Sequence, residues 1–113
     1  EDAVARGATV TTGGQIPDRD GSFYPATVLT GVVAGTRLLT EEIFGPVLAI
    51  VPFDTEDEAV GLANATEYGL ISYVYTQDLA RGMRMIDRLE TGMMGLNAGV
   101  ISNAAAPFGG VKQ

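Results

Sequence analysis

"VLAIVPFDTEDEAVGLANATEYGLISYVYT" (Val47–Thr76) carries the pattern that decides the architecture. Its first seven residues, Val47 to Phe53, form a continuous apolar run, as in a strand buried on both faces. Thr55 and Glu58 have the T-x-x-E spacing of a capping box, in which the hydroxyl accepts from the amide three residues on. Ala59, Leu62 and Ala63 follow at helical spacing as far as Asn64, and Gly69 stops the run. "LISYVYT" (Leu70–Thr76) is β-branched and aromatic and reads as a second strand. Strand, helix and strand in that order predict parallel pairing with a right-handed crossover.

The pattern then repeats. Asp78 is placed to cap a helix whose Leu79, Met83, Ile86 and Leu89 fall at i, i+4, i+7 and i+10, and Gly92 ends it. "MMGLN" (Met93–Asn97) reads as a third short strand, and the pairs Met83/Met85 and Met93/Met94 read as core filling. The fold class is therefore α/β, with a parallel βαβαβ core and flanking helices. Upstream, "EDAVARG" (Glu1–Gly7) reads as the last turns of a helix closed by a left-handed Gly7. "ATVTT" (Ala8–Thr12) reads as a strand, "IPDRDGS" (Ile16–Ser22) as a turn, and "FYPATVL" (Phe23–Leu29) as extended chain at an edge or irregular position. No repeat, low-complexity tract or linker interrupts the chain, so residues 1–113 read as a single unit.

Composition narrows the chemistry. The chain has no cysteine and no histidine, which removes disulfides, a thiolate nucleophile and the commonest metal ligands. No metal site is expected. Fourteen acidic residues against seven basic ones give a net charge of −7, which repels a phosphate backbone. No apolar run approaches the roughly 20 residues that span a bilayer, and "EDAVARGATV" has neither part of a signal peptide. A cytoplasmic chain without nucleic-acid or membrane partners is expected.

Two stretches offer sites. "TEEIFGPV" (Thr40–Val47) places two carboxylates before a phenylalanine and a Gly-Pro turn. It reads either as a solvated acidic loop with Phe44 in the core, or as a carboxylate that accepts from a vicinal diol beside a ring that packs on a flat ligand. "GLNAGVISNAAAPFGGVKQ" (Gly95–Gln113) leaves the carboxyl end of a strand, where ligands of open α/β sheets collect. Its Asn97, Ser102, Asn103 and Phe108 read either as an ordinary surface loop or as a binding loop, and Lys112 reads as solvated.

These stretches, with "LLTEEIFGPVLAIVPF" and "NATEYGL", resemble the carboxyl-terminal part of the aldehyde dehydrogenase superfamily over essentially the whole chain. Within it, the Ile101-Ser102 loop is similar to that of the succinate-semialdehyde dehydrogenases. The resemblance implies part of the catalytic domain of an oxidoreductase that attacks an aldehyde with a cysteine thiolate, reduces NAD or NADP, and hydrolyses the thioester. NADP is favoured by resemblance alone. It implies that the cofactor domain and the cysteine segment precede Glu1 and an oligomerisation tail follows Gln113, so the chain reads as an inactive fragment of a homo-oligomeric enzyme. No catalytic residue, neither the nucleophile nor the general-base glutamate, is then expected here.

The resemblance assigns Glu42 to the nicotinamide ribose and Phe44 to the nicotinamide. Asn97 opens the substrate loop, Ser102 meets the distal carboxylate of the aldehyde, and Phe108 walls the substrate tunnel. An uncharged aldehyde, or a non-catalytic binding or assembly module, are the alternatives. Glu42 precedes the amino end of one strand and Ser102 follows the carboxyl end of another. Either the loop before Val47 folds back, or cofactor and substrate approach from different sides.

Overall fold

The computed structural model describes residues 1–112; Gln113, the end of the closing stretch, lies outside them. The sequence offers no linker near Phe53, yet the chain divides there into two compact units, Glu1–Phe53 and Asp54–Gln113. Each unit carries its own sheet.

The first unit holds α1 (Asp2–Ala5), β1 (Thr9–Thr12), β2 (Thr27–Thr30), α2 (Arg37–Thr40) and β3 (Val47–Ile50). Strand β2 is central, antiparallel to β1 and parallel to β3 in the register Thr27↔Val47 to Thr30↔Ile50. Gly7 ends α1 at φ +98, as read from the sequence. Asp2 links the two short helices: its carboxylate accepts from the Arg37 amide at 2.9 Å and from Arg6 Nε at 3.0 Å. The Arg37 amide and the Arg6 side chain hold its carboxyl below the usual carboxylate range. The core gathers Ala3, Ala8, Leu29 and Val32, with Leu38, Leu39, Val47, Ala49 and Val51 against it.

Strand β3 differs from the expected strand buried on both faces. Val47 and Ala49 turn to the core, whereas Leu48 and Ile50 are 56% and 45% exposed. The strand is an edge of its sheet and its partner is β2, not the next strand in sequence. The parallel strands thus occur in two pairs rather than in one continuous βαβαβ sheet.

The second unit holds α3 (Glu56–Asn64), β4 (Ile71–Val74), α4 (Leu79–Arg88) and β5 (Met93–Leu96), with β4 parallel to β5. Both helix starts are capped as the sequence predicts. Thr55 Oγ1 accepts from the Glu58 amide at 3.1 Å, Glu58 Oε2 accepts from the Asp54 amide at 2.9 Å, and Asp78 Oδ1 accepts from the Arg81 amide at 3.2 Å. Helix α4 does not bury the predicted stripe. Gly82 and Met85 are buried, Gly82 against Leu96, while Leu79, Met83 and Ile86 are exposed. Met83 is therefore not core filling, and Met93 and Met94 are half-buried. A third face of α4 explains the choice, because Arg81, Arg84 and Arg88 turn toward Glu56 of α3.

Arg84 grips both oxygens of Glu56 at 2.9 Å, with Arg81 at 3.3 Å and Arg88 at 3.4 Å. The hydrogen bonds from Arg84, then Arg81, bring the Glu56 carboxyl from its ordinary 4.5 to about 2. A folded-state value below the unfolded one stabilises the fold fully above about pH 4.5, and that contribution disappears as pH falls toward 2. Glu56→Gln is expected to lower stability at neutral pH, with the gap to wild type closing in acid. Denaturant titrations at a series of pH values check this, and a gap independent of pH would contradict it.

Candidate functional site

The acidic loop sorts its two carboxylates. Arg37 Nε and Nη2 donate to Glu41 Oε1 and Oε2 at 2.7 and 2.8 Å, one helical turn apart. Those hydrogen bonds hold the Glu41 carboxyl below its ordinary value. Glu42 is exposed and has no hydrogen bond or ion pair among the described residues. The Gly45 amide donates to Ile43 O and the Val47 amide to Gly45 O, at 2.9 and 2.8 Å. Two successive three-residue turns therefore stand the intervening side chain out of the loop. Phe44 is 99% exposed, which removes the reading that places it in the core. A cavity of about 520 Å³ in the same unit is walled in part by Asp2, Tyr24, Arg37, Glu41 and Ile43, and neither Glu42 nor Phe44 contributes to it.

The closing loop belongs to the second unit. Asn97, at φ +53, occupies the left-handed region that asparagine tolerates. Its Oδ1 accepts from the Thr76 amide and its Nδ2 donates to Thr76 O, each at 2.9 Å. The side chain thus continues the β4–β5 ladder by one step and anchors the start of the loop. An open groove of about 860 Å³ lies there, lined by Tyr75, Thr76, Gln77, Arg81 and Asn97.

Beyond Asn97 the chain folds back across the sheet. A Cβ on Gly95 would lie 2.7 Å from Tyr73 Cδ1 and 2.8 Å from Ile101 Cγ2, so glycine is what lets Ile101 lie beside Tyr73. Side chains alternate along β5, so this face is opposite the one on which Leu96 meets α4. Ser102 is exposed, and its hydroxyl has no partner among the described residues. Asn103 closes a local turn, its Oδ1 accepting from the Ala105 amide and its carbonyl from the Ala106 amide. Phe108 is 67% exposed.

The loop ends at the amino ends of the same two strands. Gly69 O accepts from both the Gly92 and Val111 amides, at 2.9 and 3.1 Å. Lys112 is not solvated, contrary to its reading in the sequence. Its side chain is 20% exposed, and Nζ donates to Asn64 O at 2.8 Å, Thr66 O at 3.1 Å and Glu90 Oε2 at 2.7 Å. The two carbonyls lie 48 and 46 residues away in the chain, so no local pattern announces the contact.

Glu42 and Phe44 thus share one loop of the first unit, and Asn97, Ser102 and Phe108 share one loop of the second. The sequence profile of the aldehyde dehydrogenase family matches residues 1–113, the entire chain.

The chain belongs to the aldehyde dehydrogenase family.

Succinate-semialdehyde dehydrogenase of Paenarthrobacter nicotinovorans is 53% identical over 111 residues, covering 98% of this chain and 25% of that protein. 3-Sulfolactaldehyde dehydrogenase of Pseudomonas putida is 50% identical over 112 residues, 99% of this chain and 23% of that one. The crystal structure of succinate-semialdehyde dehydrogenase from Burkholderia pseudomallei matches with a TM-score of 0.93 at 48% identity, over 98% of this chain and 23% of that one. The chain therefore spans about a quarter of the length of these aldehyde dehydrogenases. Its mixed α/β fold with parallel strands is the one they share in this region.

Proposed function

We propose that this chain is the part of an NAD(P)-dependent succinate-semialdehyde dehydrogenase that supplies its substrate loop and its nicotinamide-side carboxylate. The supporting observation is the sorting of polar groups on the two loops. Glu41, Asn97 and Asn103 are taken up by neighbours, whereas Glu42 and Ser102 have no partner among the described residues. A free carboxylate and an exposed ring two residues apart suit a ribose diol and a flat base, so Glu42 and Phe44 fit the nicotinamide end of a dinucleotide.

Bound there, NAD(P) supplies the acceptor for the hydride that leaves the aldehyde carbon. Glu42 orients the ribose by accepting from its hydroxyls, and Phe44 excludes water from one side of the ring. Ser102 donates to the distal carboxylate of succinate semialdehyde, and Phe108 walls the passage along which the aldehyde lies. The 113 residues contain no cysteine, so thiolate attack and thioester hydrolysis fall to other residues of the complete enzyme. NADP in preference to NAD and a homo-oligomeric assembly belong to the same reading and rest on resemblance, and a cytoplasmic setting is kept with them.

The relative named for 3-sulfolactaldehyde, at 50% identity, favours a second reading in which Ser102 meets a sulfonate instead. Both readings keep an anionic aldehyde.

Glu42→Gln in the complete enzyme tests the cofactor role. The change keeps shape but weakens charge-assisted bonds to the diol. The hydride-transfer rate in single turnover is expected to fall about tenfold, with aldehyde affinity nearly unchanged. An unchanged hydride-transfer rate would remove Glu42 from the cofactor site.

A further inference from the structure

Among the described residues of the second unit, Lys112 is the one cation that reaches carbonyls at a distant helix end, and the proposed chemistry does not use it. Helix α3 ends at Asn64, whose carbonyl is among those a helix leaves without an internal partner. Lys112 Nζ donates to it at 2.8 Å, alongside the Thr66 amide, and donates to Thr66 O at 3.1 Å. A cation at a helix C-terminus also meets the negative end of the macrodipole. The third proton of the ammonium goes to Glu90 Oε2 at 2.7 Å. All three donors are therefore committed.

The acceptors belong to a node that joins both helix ends. Asn64 Nδ2 donates to Arg88 O at 2.8 Å, the last residue of α4, and Asn64 Oδ1 accepts from the Glu90 amide at 3.0 Å. One residue before Lys112, the Val111 amide donates to Gly69 O. Two residues earlier, Gly109 lies against Gly92. Phe108 directly precedes this seam, and Ser102 lies between Phe108 and the Asn97 anchor. Between Ile101 and Gly109 the described hydrogen bonds are the two local ones of Asn103. The placement of Ser102 and Phe108 therefore depends on the two ends of the loop.

We propose that Lys112 is a positioning residue: its ammonium clamps the far end of the substrate loop to the carboxyl end of α3 and to Glu90, and so fixes where Ser102 and Phe108 stand. It touches neither aldehyde nor cofactor. The proposal rests on the assignment of residues 98–108 as the substrate loop, and two arms of one experiment separate the two.

The experiment compares the complete enzyme with its Lys112→Met and Lys112→Arg variants. Methionine keeps the apolar stem and removes every donor, whereas arginine keeps the charge. Amide hydrogen exchange is read by mass spectrometry on peptides covering residues 98–111 and on peptides covering α3 and β4. In Lys112→Met, exchange of the Val111 amide, the bonded amide of 98–111 nearest the clamp, is expected to rise roughly tenfold while β4 keeps its protection, and Lys112→Arg restores most of the difference. In the kinetic arm, KM for succinate semialdehyde rises by a similar factor, with kcat and the cofactor KM within about twofold of wild type. Unchanged exchange in 98–111, or an equal rise across β4 and α3, would overturn the clamp whatever the substrate. Raised exchange confined to 98–111 without a change in aldehyde KM would keep the clamp and overturn the assignment of the loop to substrate.

Discussion

Ser102→Ala in the complete enzyme is expected to lower kcat/KM for succinate semialdehyde by roughly 10- to 150-fold, mostly through KM. The range follows from a hydrogen bond to a charged group, about 1.5–3 kcal/mol, at 1.4 kcal/mol per decade. The hydroxyl is exposed and has no partner among the described residues, so its removal breaks nothing inside the loop. That makes the variant a clean probe of what the hydroxyl meets in the complex. Butanal, of similar length and without a carboxylate, should show little change or a slight gain. The loss should extend to 3-sulfolactaldehyde if the pocket reads negative charge in general, and should spare it if the pocket reads a carboxylate specifically. Equal losses for the charged and uncharged aldehydes would make Ser102 an ordinary loop serine.

Gly92→Ala is the second large effect. A Cβ at Gly92 would overlap the carbonyl oxygen of Gly109 and lie 2.8 Å from Gly110 Cα. Every atom in its way is backbone, so no side chain can swing aside. The closing stretch must move off the sheet, which strains the hydrogen bond from the Val111 amide to Gly69 O and displaces Phe108. Overpacking of this kind costs about 1–3 kcal/mol and more where backbone cannot yield. Gly61→Ala is the matched control. It lies inside α3, a Cβ there meets nothing within 4 Å, and replacement of a mid-helix glycine stabilises by roughly 0.5–1 kcal/mol. Denaturant titrations should therefore move in opposite directions for the two variants. A Gly92→Ala protein as stable as wild type would show that the closing stretch does not pack where the structure has it.

What the sequence reveals and what it hides divides along the range of the interactions. Thr55, Glu58 and Asp78 act on amides a few residues away, and Gly7 ends its helix locally, so each was legible. Pairing partners are not written locally. The apolar run from Val47 looks like a central strand, and only the register with Thr27–Thr30 shows it to be an edge with one face uncovered. Helix α4 shows the same limit. Its apolar stripe obeys helical spacing, but the ion pairs of Arg81, Arg84 and Arg88 with Glu56, and the contact of Gly82 with Leu96, turn Met85 inward and leave Met83 outside.

The sites follow the same rule. The motif "EEIF" (Glu41–Phe44) drew attention to two carboxylates, and the bidentate hold of Arg37 on Glu41 separates the engaged one from the free one. Asn97 was legible as the opening of a loop, but its grip on both backbone groups of Thr76 was not. The contacts of Lys112 are invisible to a local reading because its carbonyl partners lie nearly half a chain away.

The most direct test of the central claim needs no variant. It is the ratio of kcat/KM for succinate semialdehyde to that for butanal, measured on the complete enzyme by the appearance of reduced cofactor. One charge-assisted bond made only by the anionic substrate predicts a preference of roughly 10-fold or more for succinate semialdehyde. Equal values, or a preference for butanal, would contradict the account.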